Sequence, residues 1–255
     1  MTDPDTLELQ QIGTPSAARP TLVFLHEGLG SVSMWRDFPA QLCARCRLPG
    51  LVYSRHGYGR SALFAAPLEP DFMHRAADDE LVSVLSGRCP GPYVLIGHSD
   101  GASIALIHAS RRPAALLGAA LLAPHLFVEP ICTDSIAALA RDWRPDSRLA
   151  RALARHHRDG ERTFRAWSGA WLEPRFAQWN IESEVARINR PLLAIQGWDD
   201  QYGTMRQIER IRELHAGTDL MKISACGHSP HVDRPDAVIA RIAAFVARLA
   251  LPGSD

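Results

Sequence analysis

No apolar run of about 18 residues, the length of a membrane-spanning helix, occurs in this 255-residue chain. The opening residues, Met1-Thr2-Asp3-Pro4-Asp5-Thr6, contain neither a basic stretch nor an apolar one. No secretory leader is therefore expected, and the reading is a cytoplasmic protein with no membrane partner. Neither sign of charge is in excess, since 28 Lys and Arg stand against 28 Asp and Glu. That balance removes the electrostatic case for a nucleic-acid partner. Cysteine is scarce, five residues in all, and an odd number in a cytoplasmic chain reads as free thiols. Cys43 and Cys46 have C-x-x-C spacing, but they fall late in an expected helix and not at the helix start that redox chemistry uses. No H-x-x-x-H or C-x-x-C…H spacing links His26, His56, His98, His125, His228 and His231, so neither a metal nor another cofactor is expected. No repeat or low-complexity tract interrupts the chain.

What is present is alternation. Short apolar runs rich in β-formers predict strands at 21–25, 51–54, 93–96, 117–122, 192–196 and 220–223, with an antiparallel edge at 7–11. Between them, helical patterns lie at 34–45, 72–86, 99–110, 205–214 and 235–249. Such alternation predicts an α/β fold: a doubly wound, mostly parallel sheet with helices on both faces. A chain of this length is expected to fold as one domain, 1–255. The stretch 128–189 is too long for a plain connection and has no strand pattern, so it reads as a helical insert between 1–127 and 190–255.

The most informative motif is Gly97-His98-Ser99-Asp100-Gly101. It is a G-x-S-x-G sequence between an apolar strand, Tyr93-Val94-Leu95-Ile96, and a Gly-free, Pro-free helical stretch. A sharp strand-to-helix turn strains its central residue, so the residues two before and two after must be small. Ser99 would then stand at a helix N-terminus, where free N–H groups favour developing negative charge. A serine nucleophile needs a base, and the base needs an orienting acid. Candidates lie past two later strands, in Gly197-Trp198-Asp199-Asp200 and Ala225-Cys226-Gly227-His228. Both loops fall at the sheet edge where open α/β folds bind ligands, and Asp200 and His228 are the expected acid and base.

With those residues in order, the chain resembles the α/β-hydrolase superfamily, in its serine-nucleophile, esterase-like branch with a helical cap. Five blocks carry the resemblance along nearly the whole chain: Phe24 to Ser31, Tyr53 to Ser61, the elbow, the Gly197 to Asp200 loop, and Gly227-His228-Ser229-Pro230. The resemblance implies the triad Ser99, Asp200 and His228, with Asp200 preferred to Asp199 because the superfamily's acid follows the loop glycine by three positions. It implies an oxyanion hole from the backbone amides of Gly28 and Asp100. The chain departs from the usual His-Gly start of that loop by carrying Glu27, so the amide of Glu27 is the alternative donor, and its carboxylate must point away or be neutralised. His26 is expected to order this loop by hydrogen bonds.

Other residues carry plainer readings. The Asp100 side chain in a first helical turn reads as ordinary complementation of the helix dipole. Arg148, Arg151, Arg155, Arg158 and Arg162 recur at near-helical spacing and read as a solvated face, as does the His156-His157 pair among them. Gly57 and Gly59 read as a tight turn near the rim of the site. Four of the six tryptophans, Trp143, Trp167, Trp171 and Trp179, fall in the insert. Each alone reads as a packing anchor; together Trp167, Trp171 and Trp179 would roof the nucleophile with an apolar surface. His125, Phe127 and Glu129 are candidates for the pocket floor, and Trp198 for a wall. The function implied is a serine hydrolase cleaving a small or medium carboxylic ester, aromatic or acyl, through an acyl-enzyme. A thioesterase or a carbon–carbon bond hydrolase of ring-cleavage products would use the same triad, although relatives of the latter often carry Trp where Ser229 stands. A ligand-binding protein on a hydrolase scaffold is the alternative of another class. The expected partner is a small ester-like molecule; the sequence does not decide between a monomer and a homodimer.

Overall fold

The computed structural model describes residues 6–249. In chain order it contains β1 (Glu8–Ile12), β2 (Thr21–Leu25), α1 (Phe38–Cys46), β3 (Gly50–Ser54), α2 (Phe72–Arg75), α3 (Leu81–Arg88), β4 (Tyr93–His98), α4 (Asp100–Ser110) and β5 (Leu116–Leu122). Next come α5 (Pro130–Arg141), α6 (Arg148–His156), α7 (Gly160–Leu172), α8 (Glu182–Val185), β6 (Leu192–Gly197), α9 (Arg206–Leu214), β7 (Asp219–Ile223), α10 (Pro230–Asp233) and α11 (Pro235–Arg248). The seven strands form one sheet in the order β1-β3-β2-β4-β5-β6-β7. All neighbours pair in parallel except β1, which runs antiparallel to β3 along the edge. Helices α5 to α8 make the insert between β5 and β6.

The apolar runs become strands because helices cover both faces of the sheet, so alternate residues have no wet side to turn to. Every residue of β2, β3, β4 and β6 is buried, whereas the edge strand β1 is only partly so. Two apolar layers result. Leu42 of α1 and Val238, Ile242 and Phe245 of α11 pack on Phe24, Ile96 and Leu193 on one face. On the other, α4 lies on Leu25, Leu95 and Leu121 and is itself covered, so all eleven of its residues are buried.

Two expected helices are interrupted. The one expected over 34–45 divides into a 3₁₀ turn at Val32–Trp35 and α1, with Arg36 between them at φ 52°. Pro39 lacks an N–H and so sits in the first turn of α1. The one expected over 72–86 contains a π-helical turn at Ala76–Glu80. At the end of that turn the buried Glu80 carboxylate accepts hydrogen bonds from the backbone N–H and Nδ1–H of His56, at 3.1 and 2.6 Å. Both interruptions serve long-range contacts that no local periodicity encodes. Among the described residues, no helix is long and apolar enough to cross a membrane, and all five cysteines are free thiols.

Candidate active site

The sheet order places the site. From β2 the chain crosses outward to β3 and then back past β2 to β4, so β2 and β4 are neighbours whose connections diverge. That switch point leaves a crevice at their carboxyl ends. The crevice receives the His26 to Gly30 loop after β2 and Ser99 after β4, and Leu25 pairs with Gly97. Ser99 has φ 53° and ψ −119°, the strained geometry expected of a strand-to-helix elbow. A Cβ on Gly101 would lie 2.1 Å from the Leu25 carbonyl oxygen, and one on Gly97 would lie 2.5 Å from that of Gly101. Both glycines are steric requirements of the turn.

His228 Nε2 lies 2.9 Å from Ser99 Oγ, and its Nδ1 lies 2.9 Å from each oxygen of Asp200. Asp199, the neighbouring carboxylate, is exposed, while Asp200 is buried. The loops that carry acid and base clasp each other: the N–H groups of Trp198 and Asp199 donate to the carbonyls of Ile223 and Cys226, both at 2.9 Å. Asp200 also accepts hydrogen bonds from Gln196 Nε2 at 2.7 Å and from the backbone N–H of Tyr202 at 2.8 Å. Burial alone would raise its pKa, but the hydrogen bond and charge of His228, with the Tyr202 N–H, hold it below the ordinary carboxylate value.

The loop after β2 is built on an ion pair between the buried His98 and the half-buried Glu27. Both ring nitrogens of His98 face acceptors, the Glu27 carboxylate at 3.3 Å and the His228 carbonyl at 2.7 Å, so both carry protons and the ring is cationic. Burial opposes that charge, but the hydrogen bond to Glu27 outweighs it and raises the His98 pKa. Glu27 responds in the opposite sense: burial pushes its pKa up, the hydrogen bond from His98 pulls it down, and it rests well below the usual carboxylate range. The unusual carboxylate is thus neutralised in place. His26 Nε2 accepts from the Arg55 backbone N–H at 3.0 Å, so its Nδ1–H donates to the Glu27 carbonyl at 2.7 Å. The Arg55 guanidinium donates to the carbonyls of His26 and Glu27 at 2.7 and 3.1 Å. Gly28 carries no side chain because a Cβ would lie 2.0 Å from Trp167 Nε1.

A cavity of about 150 Å³ lies over Ser99, bordered by Glu27, Gly28, Asp100, His125, Trp167 and Trp171 among others. That is the size of a cavity that holds one benzene. Its polar atoms are unevenly matched. Asp100 Oδ1 accepts a 3.3 Å bond from Trp171 Nε1, while Asp100 Oδ2, His125 Nδ1 and Trp167 Nε1 are buried without a partner among the described residues. Burial, followed by the charge of the neighbouring His228, lowers the His125 pKa to about 3 and keeps that ring neutral. Among the described residues, no group of three or more His, Cys, Asp and Glu side chains could hold a metal ion.

The sequence model of a family described as the alpha/beta hydrolase family matches residues 22–241. The chain belongs to that family. Many solved structures share this fold, among them the following three. An alpha/beta hydrolase, MGS-M2, from a Medee basin deep-sea metagenome library has TM-score 0.77 and 17% identity, covering 98% of this chain and 97% of that one. A structure from a study of carboxylesterases of the thaumarchaeon Nitrososphaera gargenis has TM-score 0.77 and 17% identity, covering 98% of each chain. The enol-lactonase of Burkholderia xenovorans LB400 has TM-score 0.75 and 19% identity, covering 95% and 96%.

Several residues of this hydrolase stand elsewhere than the sequence suggests. Trp198 is 57% exposed, with Lys222 Nζ over its ring at 5.6 Å, so it is a surface residue and not a wall. The turn that folds Asp200 inward leaves Trp198 on its outer side. Trp179 lies behind the cavity, stacked on Phe176 at 5.4 Å and packed against Trp171. Phe127 bridges to Asn180, and Glu129 is held by Thr204 and Gln207; neither borders the cavity. His157 is not solvated: it is buried, accepts from the Gly59 N–H at 2.9 Å and donates to the Leu29 carbonyl at 2.9 Å. That histidine ties the insert to the loop after β2, while the five arginines around it are exposed. The Asp100 side chain does lie in a first helical turn, but it is buried at the cavity and not directed to water. Gln196, Arg55 and His98 carry interactions that sequence reasoning missed. Their one signal is a polar residue closing or following an otherwise apolar strand.

Proposed function

We propose that this hydrolase cleaves small or medium carboxylic esters by two-step acyl transfer through Ser99. The observation that carries the reading is the continuous chain from Ser99 Oγ through His228 to Asp200, opening into a cavity of benzene size. Ser99 attacks the ester carbonyl as its proton passes to His228 Nε2, while Asp200 holds Nδ1–H in place. The tetrahedral oxyanion is received by the backbone amide of Asp100 and by that of Gly28 or Glu27. The imidazolium then protonates the leaving alkoxide, and water activated by His228 releases the acid. The small cavity and its Trp167 and Trp171 walls favour a compact acyl group, aliphatic or aromatic. The enol-lactonase and carboxylesterase structures that share the fold are consistent with this chemistry.

Hydrolysis of p-nitrophenyl esters from acetate to longer chains and benzoate, by wild type and Ser99→Ala, tests the reading. Turnover is expected to be highest for short acyl groups or benzoate and to fall by about six orders of magnitude in Ser99→Ala. Undiminished turnover in that variant would overturn the scheme. A fluorophosphonate that labels wild type and not Ser99→Ala would report the nucleophile independently of substrate choice.

A further inference from the structure

Asp100 is 1% exposed, yet one of its two oxygens has no partner and the residue borders the cavity beside the nucleophile. Its other oxygen has one neutral donor, Trp171 Nε1, at 3.3 Å. Among the described residues no ion pair reaches it: Glu27, the second carboxylate at the cavity, takes His98 as its counter-charge. Arg55 contributes charge at a distance, but its guanidinium donates to the carbonyls of His26 and Glu27 and stacks over Tyr58 at 4.8 Å. No Lys or Arg borders the cavity. A buried carboxylate left this short of donors costs free energy until something supplies them. Residues 99 and 100 are consecutive and border one small cavity, so Asp100 stands beside the position an acyl group must occupy.

We propose that Asp100 is a specificity-determining residue that receives an ammonium on the acyl part of the substrate, so that the hydrolase acts on esters of α-amino acids. This rests on the ester-hydrolase reading above. An ammonium is favoured over a hydroxyl because it offers both the missing hydrogen bond and the missing counter-charge, in a pocket whose charged lining residues are carboxylates. The ammonium must lie close to the scissile carbonyl, since Asp100 directly follows the nucleophile and both border the cavity. The Asp100 amide serves any ester equally; its side chain discriminates among them.

The test uses benzyl esters of valine, α-hydroxyisovaleric acid and isovaleric acid, which share one carbon skeleton and differ in a single substituent. The wild-type kcat/KM is expected to favour the valine ester over the isovaleric ester by about ten- to a hundred-fold, with the hydroxy ester well below the amino ester. In Asp100→Asn that ratio collapses toward one. A damaged oxyanion hole would slow all three esters alike and cancel in the ratio. The wild-type ratio should also fall as rising pH removes the amine's proton, a measurement that needs no variant. Equal wild-type rates on valine and isovaleric esters, equal rates on amino and hydroxy esters, or an unchanged ratio in Asp100→Asn would each overturn the inference. If hydrolysis of the isovaleric ester depends on Ser99 in those cases, the ester-hydrolase reading survives. Absence of Ser99-dependent hydrolysis of all three would overturn both.

Discussion

Gln196 shows how much of a candidate site depends on residues outside the triad. It is the last polar side chain of an otherwise apolar strand, fully buried, and its Nε2–H donates to Asp200 Oδ2 at 2.7 Å and to the Gly203 carbonyl at 3.0 Å. It therefore fixes the carboxylate that fixes His228. Gln196→Met keeps the volume but removes the donor, and Asp200 loses one of the hydrogen bonds that hold its carboxylate in place. The expected result is a fall in kcat of about ten-fold with KM little changed, since the interaction orients the base and touches no substrate. Steady-state kinetics on a short p-nitrophenyl ester would check it, and a change confined to KM would contradict it. Ser99, Asp200 and His228 were readable in the sequence because each follows an apolar strand at a motif spacing. Gln196 was not, because a polar residue at the end of such a strand looks like its boundary. Likewise nothing local marks His98 as the cation that offsets Glu27.

At the scale of elements, contacts across the site decide conformation more than local preference does. Strand β2 has the same limits in sequence and structure, 21–25, because an apolar run between Pro20 and a polar loop leaves little choice. The π turn at Ala76–Glu80 and the break before α1 were not legible, since they answer to His56 and to the docking of Trp35. The insert was visible as a long strand-free stretch, yet which tryptophans face the cavity depends on how α7 docks. That docking rests on the contact of Trp167 with Gly28 and on Thr163 Oγ1–H donating to the Gly57 carbonyl at 2.7 Å. In Gly28→Ala the new methyl meets the indole of Trp167 head on, so α7 must tilt outward or the loop must shift. Stability is expected to fall by about 1–3 kcal/mol as overpacking, and activity with it. Adding Trp167→Ala should restore part of that stability, giving a coupling term in a double-mutant cycle measured by urea unfolding. Strictly additive losses would show that helix and loop do not bear on each other.

Across the whole molecule the formal charge is zero at pH 7, but the interior is not neutral in its response to acid. His125 and His231 have pKa values lowered to about 3, first by burial and then by neighbouring histidines, His228 for the one and His98 for the other. Burial also lowers His26, His108 and His157. In the unfolded chain these rings titrate near 6.5, so below that pH the unfolded state takes up protons that the native state refuses. Stability must then decline as pH falls from about 6.5 toward 3. His98 has the opposite sign: its raised pKa contributes stability that is fully present below about 6.5 and is lost as pH rises through its folded value. It therefore leaves the acid slope untouched and erodes stability on the alkaline side. Below about 4.5 the lowered carboxylates of Glu27 and Asp200 add their own loss as they protonate. Counting His125 and His231 alone, the slope between about pH 6 and 4 is about 2–3 kcal/mol per pH unit. Urea midpoints at successive pH values from 7 to 5 measure it directly. His231 packs against Trp35 and Phe38 at 4.9 and 5.4 Å between ring centres, a setting that a phenylalanine ring also suits. His231→Phe should therefore fold and reduce the slope by about 1 kcal/mol per pH unit. A wild-type protein equally stable at pH 7 and pH 5 would mean that these rings gain their protons without unfolding, and that burial does not hold them neutral.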